Sequence, residues 1–242
     1  MHKGKSVSVV IPTYNEEGSI RAVIDGFFDT GVVDEVVVVD NNALGNTKKE
    51  VAKTKARLVE EKRQGYGSAM MRGLREAVGD LVITTEGDGT FLPQDIHKFL
   101  SYTDEFEAVF GTRTSRASIW SGAFMPFPVR VGNWAVAKFL EVLHNGPTLT
   151  DVSCSYKLFS REVLTSIFDL FPLSPAKEAF SAEVMVWVIR RGWRPVEIPV
   201  IYKQRVGVSM YTGDSIFKAA KIGFKMVFHI LRYRFIRLER VR

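Results

Sequence analysis

The chain alternates short apolar runs with amphipathic stretches, and that alternation predicts its elements. Val7-Ser8-Val9-Val10-Ile11-Pro12 reads as a buried first strand closed by proline. Ile20, Val23, Ile24 and Phe27 follow at helical spacing, and Gly31 offers a stop. Val36 to Val39 is an unbroken apolar run, as expected of a central parallel strand covered on both faces. Strand, helix, strand is a βαβ unit, and the pattern continues. A short exposed helix is predicted over Lys48 to Lys53, and a weaker strand over Arg57 to Glu60. The glycine turn Gln64-Gly65-Tyr66-Gly67-Ser68 then opens a helix with Met70, Gly73, Leu74 and Ala77 inward. Leu81-Val82-Ile83-Thr84 is a β-branched strand. Pro93 opens a helix carrying Ile96, Phe99 and Leu100, and Ala108 to Thr112 is a further strand. An α/β fold with a mostly parallel central sheet flanked by helices is the expectation.

Beyond Arg113 the rhythm changes. Residues 115–128 carry Trp120, Phe124, Phe127 and two prolines without a period, which suits either a binding loop or a surface loop whose aromatics pack back on the body. Arg130 starts a helix reaching about His144, with Val131, Trp134 and Ala135 predicted inward. Residues 151–159 read as extended and 161–168 as helical. Residues 180–191 form a helix with Val184, Trp187 and Val188 on one face and Glu183 beside it. Val196, Ile198 and Val200 alternate in a half-buried strand, and a loop spans Gln204 to Ser209. A last helix is predicted over Ser215 to Leu231.

Composition narrows the class. With 46% hydrophobic and 25% charged residues in 242, the chain is an ordinary globular protein large enough for one sizeable core. The single cysteine, Cys154, excludes a disulfide framework and fits a reducing compartment, and the four scattered histidines suggest no zinc site. The net charge of +6 is concentrated in residues 215–242, which carry +7. This divides the chain into a domain over 1–214 and a basic C-terminal helix over 215–242. Lys218, Lys221, Lys225, His229 and Arg232 form one stripe of that helix, with Ile216, Ala220, Val227, Ile230 and Leu231 on much of the rest. That is the make-up of a helix lying on anionic lipid. A nucleic-acid tail or a solvated helix packed on the body are the alternatives. The first apolar run is short and broken by Pro12, so no signal peptide is expected, and no run approaches the roughly 20 apolar residues of a membrane span.

The candidate chemistry sits at strand ends. Glu86 and Asp88, separated by Gly87, leave an extended backbone on the same side. Two such carboxylates suit Mg²⁺ carrying a polyphosphate, because that ion keeps water and phosphate oxygens in its octahedron; a solvated acidic turn is the other reading. Glu16, Asp40 and Arg113 also lie just past predicted strands, and in such sheets ligands sit at the carboxyl ends. The turn at Gly65 can hold a phosphate at a helix N-terminus or be a plain connector.

In order and spacing, several segments resemble one family. They are Val9-Val10-Ile11-Pro12-Thr13-Tyr14-Asn15-Glu16-Glu17, Val37-Val38-Val39-Asp40-Asn41, Gly65-Tyr66-Gly67, Glu86-Gly87-Asp88, Gly111-Thr112-Arg113 and Arg205-Val206-Gly207-Val208-Ser209. Together they resemble the GT-A glycosyltransferases of glycosyltransferase family 2, within them the dolichyl-phosphate mannose synthase group. The resemblance runs from about Ser6 to Phe235. It implies a Rossmann-like GT-A fold in which Pro12, Tyr14, Glu16, Asp40 and Gly65 hold the nucleotide sugar and Glu86 and Asp88 hold Mg²⁺ or Mn²⁺ on the diphosphate. It implies that Arg113, Arg130 and Arg205 receive the acceptor phosphate and donor phosphates, with Ser209 at the acceptor phosphate. Asn41, Glu86, Thr90, Ser155 and Met210 depart from residues frequent in the group, which bears on the donor sugar more than on the reaction.

The resemblance implies inverting, metal-dependent transfer of a hexose, mannose or glucose, from a GDP-mannose or UDP-glucose type donor to a polyprenyl or dolichyl phosphate. The protein would be cytoplasmic and peripheral on the inner face of the membrane, with an anionic membrane surface as partner and no nucleic acid. A saccharide or other hydroxyl acceptor is the alternative. It would need a carboxylate base, for which Asp151 and Glu183 are candidates, each otherwise a structural carboxylate holding a loop or capping a helix, the reading favoured for Asp151. A non-catalytic nucleotide-binding membrane scaffold and a nucleotidyltransferase are further readings.

Overall fold

The computed structural model describes residues 1–173, 179–207, 215–237 and 239. Seven strands form one sheet: β1 (Val7–Thr13), β2 (Glu35–Asp40), β3 (Arg57–Glu60), β4 (Leu81–Thr84), β5 (Ala108–Thr112), β6 (Lys157–Ser160) and β7 (Pro195–Pro199). Their order is β3-β2-β1-β4-β6-β5-β7. Only β6 runs antiparallel, between β4 and β5, and the other neighbours pair in parallel. The expected mostly parallel sheet is therefore present.

The valine run of β2 shows why a central strand needs no polar face. Val37 and Val39 join one core cluster with Val10, Val82 and Phe110, while Val36 and Val38 join a second with Val9, Ile11 and Ile83. Successive side chains leave a strand on opposite sides, so each face of the sheet has its own core. Helices α1 (Ile20–Phe28) and α4 (Ile96–Ser101) cover one face. Helices α3 (Tyr66–Glu76), α6 (Arg161–Ile167) and α7 (Phe180–Arg190) cover the other, and the short α2 (Thr47–Val51) follows β2. At Gly73 a Cβ would stand 2.3 Å from Val10 Cγ1, so only glycine lets α3 approach the sheet this closely.

Several sequence expectations are corrected. The helix expected from Arg130 begins at Phe127, with Pro128 in its first turn where a missing N–H costs nothing: α5 is Phe127–His144. Its inward face is Ala137, Leu140 and His144; Val131 and Trp134 are exposed by 45% and 50%. α7 is buried on nearly every side, Glu183 included, because the last helix, α8 (Ile216–Phe235), lies over it. α8 runs one turn further than expected. It buries Met226, Ile230 and Tyr233 in the core shared with α5 and α7, and His144 on α5 meets the Ile230 carbonyl at 3.0 Å. Finally, His229 leaves the basic stripe and turns inward, its Nδ1 2.9 Å from Glu183 Oε1.

Candidate active site

The carboxyl ends of β1, β2, β4 and β5 point the same way because those strands run in parallel register, with Thr13 beside Asp40 and Val10 beside Thr84. Each candidate side chain therefore reaches one rim. Asp40 is buried there. Its Oδ1 accepts from Ala43 N at 2.9 Å and its Oδ2 faces Lys48 Nζ at 3.1 Å. Asn41 uses its amide to hold the next turn: it donates to the carbonyls of Glu61 and Arg63, and its Oδ1 accepts from Gly65 N at 2.7 Å. Gly65, at φ 135°, precedes α3 in a conformation that favours glycine. Pro12 and Tyr14 are partly exposed on the same rim.

Past β4 the chain makes a tight acidic turn. Asp88 is fully buried, and its Oδ1 accepts from Thr90 N at 2.9 Å and Thr90 Oγ1 at 2.7 Å. Glu86 Oε1 accepts from Ser155 Oγ at 2.7 Å. Across both carboxylates lies Arg205, with Nη2 2.7 Å from Asp88 Oδ2 and 3.3 Å from Glu86 Oε2. Val206 N also donates to the Asp88 carbonyl at 3.0 Å, so the chain around Arg205 is pinned to the turn it neutralises. Glu16 Oε2 is buried without a hydrogen-bond partner and sits where a Cβ on Gly87 would approach to 2.5 Å. That glycine lets three carboxylates crowd together.

Crowding shows in the acidities. Burial first, and then the charge of Asp88, push Glu16 up to about 8. Burial and then Glu86 push Asp88 up. Burial would also push Glu86 up, but Arg205 and the hydrogen bond from Ser155 outweigh it and the net direction is down. A carboxylate cluster short of positive charge suits a cation. Among the described residues no group of three or more His, Cys, Asp or Glu is arranged to hold a metal ion by itself. Two carboxylates fit a divalent ion whose remaining ligands come from a diphosphate.

Arg113 behaves differently. It is buried against Asp151 in a two-pronged pair, Nε to Oδ2 at 2.9 Å and Nη2 to Oδ1 at 3.0 Å, and its own backbone N–H donates to Oδ2. Nη2 also donates to Ser153 Oγ, and the guanidinium lies 5.0 Å from the centre of the Tyr202 ring. Burial would push Asp151 up; the Arg113 charge outweighs it and holds the carboxyl below its ordinary range. Asp151 is thus the counter-ion of Arg113, the structural reading of this carboxylate rather than the base. Glu183, the other candidate, is the partner of His229 beneath α8.

Glu86, Arg113 and Arg205 line the polar end of a cavity of about 600 Å³, which continues between α5 and α8 over Val136, Ile222 and Val227. Arg130 is not among its lining residues; its guanidinium lies 5.7 Å from the centre of the Phe127 ring. Ser209 lies outside the described residues. Sequence reasoning missed the holding roles of Ser155, Thr90 and Lys48. Thr90, two residues after Asp88, was open to detection, because a carboxylate readily caps the backbone two positions on. Ser155 comes from the distant β6 approach and carried no local signal.

Residues 8–168 match the family model for Glycosyl transferase family 2. The chain belongs to that family. It is 32% identical over 205 residues to the dolichyl-phosphate hexose transferase of Haloferax volcanii, covering 83% of this chain and 84% of that protein. It is 24% identical over 250 residues to the UDP-N-acetylglucosamine–dolichyl-phosphate N-acetylglucosaminyltransferase of Methanococcus voltae, covering 94% and 95%. Among solved structures, glucosyl-3-phosphoglycerate synthase from Mycobacterium tuberculosis in complex with Mn²⁺, uridine diphosphate and phosphoglyceric acid has a similar fold. Its TM-score is 0.72 at 20% identity, over 97% of this chain and 80% of that one.

Proposed function

We propose that this family 2 glycosyltransferase moves a hexose from a nucleotide sugar to a polyprenyl phosphate at a membrane surface. The observation that carries the reading is the balance of charge at the rim. Both candidate bases for a hydroxyl acceptor are engaged by the protein itself, Asp151 by Arg113 and Glu183 by His229, while Arg113 and Arg205 line the polar end of a cavity that is mostly apolar beyond them. A phosphate acceptor is anionic near neutral pH and needs no base, only positioning and neutralisation. The two dolichyl-phosphate transferases among its relatives support the same acceptor class.

In this reading Pro12, Tyr14, Asp40 and the Gly65 turn take the nucleoside of a GDP-mannose or UDP-glucose type donor. Glu86 and Asp88 hold a divalent cation, Mg²⁺ or Mn²⁺, which when bound neutralises the charge gathering on the departing diphosphate. Thr90 and Ser155 fix the two carboxylates before the donor arrives. Arg113, oriented by Asp151, and Arg205 aim the acceptor phosphate oxygen at the anomeric carbon. A new C–O bond forms on one face as the bond to the diphosphate breaks on the other, the electron pair leaves with the nucleoside diphosphate, and configuration inverts. Guanidinium forks suit phosphate oxygens. Arg130 and Ser209 remain proposed contacts to the acceptor.

The surface supports a peripheral attachment. No described helix is long and apolar enough to cross a membrane. α8 instead exposes Phe217, Phe224, Phe228 and Phe235 by 66% to 82%, interleaved with Lys218 and Lys221, and α5 adds Phe127 and Trp134. Aromatic and basic side chains on one exposed surface suit an anionic leaflet.

The deciding experiment incubates the protein with a panel of nucleotide sugars, Mn²⁺ and either a polyprenyl phosphate or free saccharides. Glycosyl-phosphoryl-polyprenol and nucleoside diphosphate are the expected products. Transfer to saccharides alone would establish the hydroxyl-acceptor alternative, and release of pyrophosphate would point to nucleotidyl transfer.

A further inference from the structure

The cavity beside the carboxylate pair has a second half that the chemistry at the rim does not use. From Arg113 and Arg205 it runs between α5 and α8, and both helices present glycine to it, Gly132 and Gly223. Both lie inside helices, where glycine is the poorest residue after proline. Neither is required by packing: a Cβ built on either meets nothing within 4 Å. This contrasts with Gly73, whose missing side chain is what lets α3 touch the sheet. At Gly132 and Gly223 the missing side chains leave space inside the cavity. Around them the walls are mostly apolar, with Val136, Ile222 and Met226 beside the single amide of Asn133, whereas the rim end carries two guanidiniums.

We propose that the α5–α8 half of this cavity binds the apolar chain of the acceptor lipid, and that Gly132 and Gly223 set the width available to it. This rests on the reading of the acceptor as a polyprenyl phosphate. The charge complementarity is directional. An anionic head belongs with Arg113 and Arg205, and the hydrocarbon attached to it then has one apolar continuation, between the two helices. The exposed Phe224 on α8 also lines the cavity, so the passage meets the surface at the aromatic and basic face. A lipid could thus enter sideways from the leaflet while its phosphate reaches the sheet edge.

The test compares a long-chain polyprenyl phosphate with geranyl phosphate as acceptors for wild type, Gly132→Leu and Gly223→Leu. Filling the groove lowers the preference for the long chain by about tenfold, the loss expected when roughly two chain methylenes are denied burial. An unchanged preference in both folded variants overturns the groove assignment alone. If wild type glycosylates neither phosphate, the acceptor reading fails and this one with it. Should the leucine variants not fold, photo-crosslinking of the wild-type protein decides. A diazirine on the distal part of a long-chain polyprenyl phosphate is expected to label α5 and α8, and labelling confined to other elements overturns the proposal.

Discussion

Arg205 Nη2 stands 2.7 Å from Asp88 Oδ2, so the deepest carboxylate of the site is neutralised by an arginine more than a hundred residues away in sequence. The same guanidinium reaches Glu86 at 3.3 Å. Replacing Arg205 by alanine leaves buried Asp88 and half-buried Glu86 with less positive charge and, in the proposed mechanism, the acceptor with one fork fewer. We expect kcat for transfer to fall by about 10²-fold or more, the scale set by removing one preorganised donor from a reacting anion. Lysine at this position keeps the charge but not the bridging geometry, and should recover only part of the loss. Equal rates for wild type and Arg205→Ala would remove Arg205 from the mechanism.

Metal binding should depend on pH in a stated direction. Asp88 is pushed up to about 7 by burial and by Glu86. A cation must displace that proton, so Mn²⁺ affinity rises between about pH 6 and about pH 8 and binding releases protons. Titration calorimetry in buffers of different ionisation enthalpy measures both. Asp88→Asn should abolish the binding and the transfer, and a pH-independent affinity would contradict the assigned acidity.

Glu16 carries a stability consequence. Its carboxyl sits at about 8 in the folded protein against 4.5 ordinarily, so across that interval the folded state holds a proton that the unfolded chain has released. Stability of the metal-free protein therefore falls as pH rises through the interval, and the penalty is complete above about 8. Glu16→Gln removes the ionisation. Its Tm should exceed that of wild type at high pH and approach it at low pH. Parallel Tm curves for the two proteins would refute the shift.

The Arg113–Asp151 pair separates structure from chemistry. Asp151→Ala strands a buried guanidinium and should cost about 3–5 kcal/mol in urea unfolding. Replacing both partners, Arg113→Met with Asp151→Leu, should restore much of that stability because no charge is left uncompensated. Transfer should stay lost in the double variant, since the positioning fork is gone. Recovery of activity together with stability would make the pair purely structural.

Removing residues 215–242 is a poor test of membrane attachment, because Met226, Ile230 and Tyr233 are core residues. Substituting the exposed side chains is cleaner. Phe224→Ser with Phe228→Ser should weaken binding to anionic vesicles by more than about tenfold, given roughly 1.5–3 kcal/mol for full burial of each ring. Raising the salt should weaken wild-type binding further through the lysines. Vesicle binding unchanged by either would place the contact elsewhere.

The strands of the first 113 residues, the mostly parallel character of the sheet and the carboxylates at the strand ends were legible in the sequence, whereas the antiparallel β6 between β4 and β5 was not. Four consecutive valines have few other places to go, and residues just past parallel strands must share an edge. The helix starting at Ile20 was equally plain, since one face is apolar and the other polar. Where a helix is apolar on several sides, periodicity stops naming the buried face. The apolar pattern of α5 points Val131 and Trp134 inward, yet both are exposed, because α8 covers a different side of that helix.

Local pattern fixed which residues lie at the rim, because strand direction and side-chain alternation follow from the backbone alone. Only the tertiary structure decided their partners. Asp151 with Arg113, Glu183 with His229, and Arg205 across Glu86 and Asp88 join segments distant along the chain. Whether a buried carboxylate serves as base, counter-ion or metal ligand depends on which charge the fold brings within about 3 Å, and nothing in its neighbours along the chain encodes that distance.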